Sequence, residues 1–286
     1  MADVMKKQPK MKKKEPLIGK IIECIILILL FALFVLPFYY MIISSFKNTF
    51  EAMAVPPVWW PEKFLWGNFK DAWVEANFAK YGWNSIVISA AVVVSCLICS
   101  VPSAFAFGRM EFKFKKPLWC IILSDMMVPV QCVFLPLFIL FSDLGWLNTY
   151  GSMILLFTYS GSTIFFIRNA FMQVNNEVLE AARLDGASEW RIYFQLVLPN
   201  IKPAVLTVFI FQFVNIWNGL SKELVYDEQL KVVKVALEQI SASNLYARMG
   251  SGMAGSVLLM IPPIVIFILM QRNVVETMTF AGMKEG

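Results

Sequence analysis

Six apolar runs, each close to the length of a membrane-spanning helix, constrain this chain more than any other feature. A helix needs about 20 consecutive apolar residues to cross the hydrocarbon core of a bilayer. The runs lie at about 18–43, 83–107, 118–142, 150–167, 203–220 and 252–270. Hydrophobic residues make up 58% of the chain and charged residues 16%, a balance that soluble globular domains do not have. The sequence therefore predicts an all-α membrane protein with six transmembrane helices.

Basic residues indicate which side of the membrane each end of the chain faces. Lysine and arginine are enriched on the cytoplasmic side of membrane proteins, and seven lysines lie within the first 20 positions. With the N-terminus inside, 17 of the 25 Lys and Arg residues fall in cytoplasmic segments. This distribution predicts a basic cytoplasmic tail over 1–17, a transmembrane domain over 18–270 and a cytoplasmic tail over 271–286. It also accounts for the net charge of +5 without a nucleic-acid partner.

One segment between the fourth and fifth runs, residues 176–203, is too polar to cross a membrane, yet it carries the start and stop signals of a helix pair. Asn176 is a residue type that caps a helix start. Alanine favours a helix interior, and the segment has two in succession, Ala181 and Ala182. Glycine is typical of the position just after a helix end. We therefore expect a first short helix that begins at Asn176 and ends before Gly186.

The same signals predict a second helix in this segment, capped by Ser188 and stopped by Pro199 and Pro203. Four apolar side chains of this helix are spaced i, i+3, i+4 and i+7, which places them on one face. They are Trp190, Tyr193, Phe194 and Val197. Such a stripe on a polar helix pair indicates a contact surface, either for another protein or for the inner ends of the chain's own helices.

The sequence of this helix pair resembles a known family. The residues Glu180-Ala181-Ala182, Asp185-Gly186-Ala187-Ser188 and Leu198-Pro199 are similar to the EAA loop of ABC-transporter permeases. The wider chain, from about residue 18, resembles the MalG-type permease of carbohydrate importers. Further matching stretches are Ser44-Ser45-Phe46-Lys47, Asn84-Ser85, Trp217-Asn218 and Ala104-Phe105-Ala106-Phe107-Gly108-Arg109-Met110. The chain departs from the family at Asn175, where a proline is usual, at Leu179, where an acid is usual, and at Gly219, where an acid is common.

The resemblance implies a coupling role for the polar segment. In such permeases this loop, here within about 168–202, is cytoplasmic and sits in a groove of a separate ATPase. The residues that the resemblance and the stripe assign to this contact are Glu180, Ala181, Ala182, Asp185, Gly186, Trp190, Tyr193, Phe194 and Pro199. We also expect Glu180 to accept hydrogen bonds from the ATPase or from Arg183.

The resemblance also implies partners and a location in the cell membrane. The partners are a second, MalF-like permease, an ABC ATPase dimer and an extracytoplasmic solute-binding protein. The chain is then not an enzyme and binds no cofactor, because ATP and Mg²⁺ belong to the ATPase.

A few polar residues inside the apolar runs are candidates for the solute pathway. An acid within a span is a functional candidate by default, and amides beside an aromatic ring suit the hydroxyls and the apolar face of a sugar. The candidates are Asp125, Gln131, Asn215, Trp217 and Asn218. Interhelical hydrogen bonds explain the amides equally well, and Asp125 is equally consistent with a structural acid.

Few residues support a catalytic or nucleotide-binding function. The chain has no histidine, and no Walker A motif is present, since Gly19-Lys20 lacks both the upstream glycine and the following Ser or Thr. Gly250-x-Gly252-x-x-Gly255 matches a dinucleotide pattern but precedes an apolar run, so we interpret it as small residues for close helix approach. The sequence thus predicts a permease subunit of a sugar importer. The alternatives are the same architecture moving glycerol phosphate or a polyamine, or a membrane scaffold or intramembrane enzyme.

Overall fold

The computed structural model describes residues 17–219, 224–225, 227–243 and 248–282, so nearly all of the predicted basic tail lies outside the described part. Over these ranges the chain is helical and has no β-strand. The helices are α1 Leu17–Ser44, α2 Thr49–Ala52, α3 Gly67–Glu75, α4 Phe78–Arg109, α5 Lys115–Asp125, α6 Val130–Asp143, α7 Tyr150–Thr158, α8 Gly161–Gln173, α9 Asn176–Leu184, α10 Glu189–Asn200, α11 Lys202–Gly219, α12 Val233–Ser243 and α13 Met249–Gly282.

Three of these helices are long and apolar enough to cross a membrane by themselves: α1, α4 and the first 26 residues of α13. Two further candidates are helix pairs with a sharp bend between their members. The bend is 44° between α7 and α8 and 71° between α10 and α11. By length and composition the described residues therefore contain three candidate spans, or five if each bent pair is one span.

The third predicted span, 118–142, is divided into two helices, α5 and α6, with a break at residues 126–129. Proline explains the break. The residue before a proline is displaced from helical backbone angles, and Pro129 itself has an extended backbone with φ −60° and ψ 131°. With 11 and 14 residues, neither half alone reaches the roughly 20 residues that a bilayer requires. Sequence periodicity gave no sign of this break.

Helix α4 is the centre of the fold and packs against α7, α8 and α11. In its middle, Val92 and Val93 are fully buried with Met153 of α7 and Trp217 of α11. Near its end, Phe105 packs with side chains of α8, α9 and α10, namely Ile167, Phe171, Leu179, Tyr193 and Val197. Each such side chain contributes about 1.5–3 kcal/mol when fully buried. The polar helix pair is therefore joined to the core.

The glycines near the start of α13 allow close packing, as predicted. A Cβ on Gly250 would collide with the Lys47 carbonyl oxygen and the Asn68 side chain. A Cβ on Gly255 would lie 2.5 Å from Leu237 Cδ2. Asn68 Nδ2 also donates to the backbone oxygens of Ser45 (2.9 Å) and Lys47 (2.8 Å). These contacts join the loop after α1 to the start of the last helix.

Candidate functional site

The capping residue of α9 lies one residue before the predicted position. Asn175 is the capping residue, and its Oδ1 accepts from the Glu177 N–H at 3.0 Å. The prediction of Asn176 is wrong because Asn175 has the extended backbone that a cap requires (φ −64°, ψ 129°), whereas Asn176 is already helical. The Asn176 side chain instead accepts a hydrogen bond from Arg109 Nη1.

Helix α9 ends at the predicted glycine. Gly186 has φ +81°, its N–H donates to the Arg183 carbonyl at 3.0 Å, and the Ala187 N–H donates to the Ala182 carbonyl at 3.0 Å. These two bonds are the Schellman pattern, in which a left-handed residue turns the chain back over the last helical carbonyls. Because L side chains disfavour that backbone region, glycine is the residue that fits there.

The second helix begins at the predicted cap but does not stop at Pro199. Ser188 Oγ accepts from the Arg191 N–H at 3.3 Å, and the helix then runs to Asn200. Residues 192–197 are π-helical, with the Leu198 N–H bonded to the Tyr193 carbonyl five residues earlier. A proline ring normally clashes with the carbonyl four residues before it, and the wider π turn relieves this contact. The prediction that Pro199 ends the helix is therefore wrong.

Pro203 also has a different role from the predicted one. It lies in the first turn of α11, where a proline removes no helical hydrogen bond. The chain therefore bends between Asn200 and Lys202 and does not stop at Pro203.

The predicted apolar stripe divides into a buried half and an exposed half. Tyr193 is 5% exposed and Val197 is fully buried, and the Tyr193 ring lies 5.0 Å from the ring of Phe105. Trp190 is 71% and Phe194 57% exposed, and their rings stack at 6.0 Å. The stacked pair is therefore the part of the stripe that is available to a partner, and Tyr193 anchors the helix to the chain's own core.

The remaining predicted coupling residues lie mostly at the surface. Glu180, Ala181, Asp185, Gly186 and Pro199 are exposed, whereas Ala182 is half-buried. Leu184, next to this surface, is 89% exposed.

Arg183 connects the two helices of the segment. Its Nε lies 2.8 Å from Glu189 Oε1, and this hydrogen bond raises the pKa of Arg183. Within the described chain, the Glu180 side chain forms no hydrogen bond or ion pair, although its charge acts on Arg183 at longer range. The expected bond to Arg183 is replaced by the Arg183–Glu189 pair. The Glu180 carboxylate thus remains open to a partner.

Two arginines join α4 to α8, and sequence patterns gave no role to either. Arg109, the last residue of α4, donates to the Phe171 carbonyl in the last turn of α8 and to the Val174 carbonyl just after it. Arg168 of α8 donates in return to the Phe107 carbonyl of α4 at 3.1 Å. Its guanidinium also lies 4.2 Å from the centre of the Trp119 ring. Each arginine thus binds backbone carbonyls at the other helix's end, where positive charge is favourable.

The predicted pathway residues of α11 occupy different environments. Trp217 is 2% exposed and donates from its indole nitrogen to the Leu259 carbonyl at 3.0 Å. Asn215 and Asn218 line a cleft of about 430 Å³ with apolar side chains that include Phe267 and Val274. Asn218 Nδ2 donates to the Val214 carbonyl of its own helix. The side chain of Gln131 lies outside the described part of the structure.

Asp125, the last residue of α5, is exposed and lies at the break between α7 and α8. A Cβ on Gly161 would lie 2.9 Å from Asp125 Oδ2, and the Tyr159 hydroxyl lies beside the carboxylate. Gln212 of α11 reaches the same break, where it donates to Ser160 Oγ (2.8 Å) and to Thr163 Oγ1. Sequence reasoning missed Tyr159, Ser160 and Gln212, although a Tyr-Ser-Gly sequence inside an apolar run is a possible sign of a break.

Helices of this length, bent in pairs around a central α4 and carrying a polar helix pair at one end, are typical of a membrane protein with several spans. The family described as "binding-protein-dependent transport system inner membrane component" matches residues 100–280. This match covers more than half of the chain, which therefore belongs to that family of ABC-importer permease subunits.

The similar proteins include permeases of sugar uptake systems. The diacetylchitobiose uptake system permease protein NgcG of Streptomyces coelicolor is 29% identical, over 87% of this chain and 84% of that protein. The arabinooligosaccharides transport system permease protein AraQ of Halalkalibacterium halodurans is 30% identical, over 87% of this chain and 91% of that protein.

A solved structure has the same fold. A chain of a bacterial ABC transporter involved in the import of the acidic polysaccharide alginate superposes with a TM-score of 0.74 at 22% identity. The superposition covers 93% of this chain and 99% of that one. With the family match, these similarities favour the permease prediction over a membrane scaffold or an intramembrane enzyme.

Proposed function

We propose that this permease subunit moves a neutral sugar or oligosaccharide, and that residues 176–203 couple it to a separate ATPase. The observation that carries the coupling role is the exposed Trp190–Phe194 stack on a helix whose other face is buried in the core. Large apolar rings exposed on a polar segment are typical of a protein contact. Because Tyr193 and Val197 of the same helix pack against α4 and α8, a push on the stack reaches the spans directly.

The topology proposed for this role has six spans and both termini in the cytoplasm. α5 and α6 together form the third span, with the break at 126–129 near its middle. The helix pair then lies between the fourth and fifth spans, on the same side as the basic turn that contains Arg109, Lys113, Lys115 and Lys116. The bias of Lys and Arg toward this side supports a cytoplasmic position.

The proposed partners follow from the family, whose members belong to binding-protein-dependent systems. They are a second permease, an ABC ATPase dimer that carries ATP and Mg²⁺, and an extracytoplasmic solute-binding protein.

The proposed substrate class rests on charge and on the similar proteins. Their names include uptake systems for diacetylchitobiose, arabino-oligosaccharides and lactose, and also for sn-glycerol 3-phosphate. An anionic phosphate is usually bound by arginine or lysine. The second, third and fifth predicted spans contain neither residue. Neutral sugars are therefore favoured over glycerol phosphate.

Co-purification tests the coupling proposal. The tagged chain is isolated in mild detergent from its native membrane, as wild type and as a Trp190→Ala/Phe194→Ala double variant. We expect the wild type to retain an ABC ATPase and a second permease, and the double variant to retain the permease but lose most of the ATPase. The matched control is Trp60→Ala, an aromatic that is 60% exposed in the loop after α1. Equal ATPase recovery from the double variant and this control would contradict the coupling role.

A further inference from the structure

The break between α7 and α8 lies at the same depth as polar groups on three other helices. At about 1.5 Å per residue, Asp125 is about 15 Å from the start of α5 and Gly161 is about 18 Å from the end of α8. Gln212 is about 15 Å from the start of α11, and Ser95 is about 21 Å from the end of α4. The end of α4, the end of α8 and the start of α11 lie beside the polar helix pair, and α5 begins six residues after α4 ends. A bilayer core is about 30 Å thick, so these polar groups meet near its middle.

The buried side of this junction is a satisfied hydrogen-bond network. Gln212 Nε2 donates to Ser160 Oγ and Thr163 Oγ1, and Ser160 Oγ accepts from the Thr163 N–H at 3.2 Å. Ser95 Oγ and Thr158 Oγ1 are 3.0 Å apart. These bonds hold the broken ends of α7 and α8 against α4 and α11. This half is structural.

The other side of the junction is polar and exposed. Asp125 and Ser162 are exposed, and Tyr159 is 49% exposed with its hydroxyl beside the Asp125 carboxylate. A carboxylate is strongly unfavourable in contact with hydrocarbon, so acids within spans face a water-filled cavity or another polar group. An aqueous path along the exposed side of the junction would satisfy this requirement, and a position near the bilayer middle is where transported solutes are bound in broken-helix transporters.

We infer that Asp125 and Tyr159, with the exposed Ser162 one residue after Gly161, form a sugar-contact site on this chain. The inference rests on the proposed function and states where on this chain the sugar would bind. A carboxylate accepts two hydroxyl hydrogen bonds from adjacent sugar carbons, a phenol donates or accepts one more, and an aromatic ring packs on the apolar face of a sugar ring. The cluster of Asp125, Tyr159 and Ser162 contains no cationic side chain, so it suits a neutral polyhydroxylated solute and disfavours an anionic one.

Uptake and ATP hydrolysis measured in the same proteoliposomes test this site. The vesicles contain the whole importer, with its second permease, ATPase and binding protein. The probes are radiolabelled diacetylchitobiose, lactose and sn-glycerol 3-phosphate. For Asp125→Asn we expect uptake of the neutral probes to fall about tenfold, since a hydrogen bond to a charged group is lost. Tyr159→Phe should lower it by several fold. ATP hydrolysis stimulated by the binding protein should stay within a factor of about two, because the coupling surface is intact.

The control is Asp143→Asn, which removes an exposed acid at the far end of α6 and should leave both rates unchanged. If the wild type takes up a neutral probe and neither Asp125→Asn nor Tyr159→Phe lowers this uptake, the site is overturned while the proposed function remains in place. If uptake and ATP hydrolysis fall equally in these variants, Asp125 and Tyr159 have a structural role, and the sugar-contact site is also overturned. If the wild type takes up none of the neutral probes, the proposed sugar-import function fails, and the site fails with it.

Discussion

At the scale of single residues, Arg109 and Arg168 show how two side chains hold the end of the bundle together. Arg109 bonds two carbonyls and the Asn176 side chain at once, and Arg168 bonds the Phe107 carbonyl while it packs on Trp119. A planar guanidinium with five donors can serve several acceptors, whereas an ammonium is a single point. The arginines thus fix α4, α8 and the start of α9 relative to one another.

Replacing Arg109 by lysine tests this fixation. Arg109→Lys leaves at least one carbonyl without a donor, and an unsatisfied buried acceptor costs about 1–3 kcal/mol. We expect the midpoint of thermal unfolding in detergent to fall by several degrees. Arg191→Lys is the control, because Arg191 is exposed and its Nε bonds only the neighbouring Gln195 side chain at 3.1 Å. Equal unfolding midpoints for the two variants would contradict the role of Arg109 in fixing α4 to α8.

Glu228 provides a pH-dependent contact in the loop before α12. Hydrogen bonds from Lys231 and Tyr81 lower the pKa of Glu228, and the Tyr81 hydroxyl lies 2.7 Å from Glu228 Oε2. Because the pKa is lower in the folded state, the contact stabilises the fold above the unfolded pKa of about 4.3. This contribution is lost as pH falls through the folded value.

We therefore expect hydrogen exchange at residues 228–233 to accelerate below about pH 4, near the ordinary pKa of a glutamate. In Glu228→Gln the exchange rate, corrected for its intrinsic pH dependence, should not change over this range. An acid-induced acceleration of the same size in the variant would contradict the assignment. The effect should be small, because the Glu228 side chain is 68% exposed and solvent screens the charge.

At the scale of elements, the turn between α9 and α10 depends on one backbone conformation. Gly186 has φ +81°, and a Cβ placed there would meet no atom within 4 Å. Gly186→Ala therefore introduces backbone strain alone, about 1–2 kcal/mol, without a steric clash. We expect reduced ATPase binding in co-purification, because a shifted turn changes the position of Trp190 relative to Glu180.

The control for this prediction is Gly67→Ala, since Gly67 also has open space around it but no positive φ. A smaller loss in Gly186→Asn than in Gly186→Ala is the second expected result, because asparagine tolerates the left-handed region better than alanine. ATPase recovery from Gly186→Ala at the wild-type level would show that the turn geometry does not matter for coupling.

Local sequence signals predicted some of these elements and not others. Gly186 and Ser188 act through their own backbone angles and side chains, so their positions as helix stop and helix cap could be predicted from residue type. Pro129 marks the break at 126–129 in the sequence. The 71° bend before Lys202 and the π turn before Pro199 depend instead on how several helices pack, and local patterns do not contain that information. The same limit applies to Tyr193, since helical spacing cannot show which part of an apolar stripe faces the core.

The candidate site shows the same division. Asp125 could be predicted as a candidate because an acid in an apolar run is unusual. Its neighbours Tyr159 and Ser160 are more than 30 residues away in sequence and meet it only because α5 and α8 pack together. Trp217 has the residue type of a sugar contact, but its burial and its bond to Leu259 show a packing role. Residue type therefore suggested candidates for the solute pathway, and the tertiary structure showed which of them are exposed and which are packed in the core.

At the scale of the whole molecule, the proposed coupling surface lies at one end of the bundle and the proposed sugar-contact site lies near its middle. The Trp190–Phe194 stack lies at the end of the bundle where Arg109 and Arg168 fix α4 to α8. The polar junction at Asp125 and Tyr159 lies about 15 Å from that end, on α5 and at the start of α8. We propose that a movement of the stack is transmitted through α8 to the junction, because Tyr193 and Val197 of the same helix pack against α8.

The most direct test of the sugar-import proposal is uptake by cells that lack this chain and by the same cells with the chain restored. Labelled diacetylchitobiose, arabino-oligosaccharides, lactose and sn-glycerol 3-phosphate are compared, with and without depletion of ATP. We predict that uptake of at least one neutral sugar requires both the chain and ATP, and that the Trp190→Ala/Phe194→Ala variant does not restore it. Uptake restored only for glycerol phosphate, or restored fully by the double variant, would contradict the account.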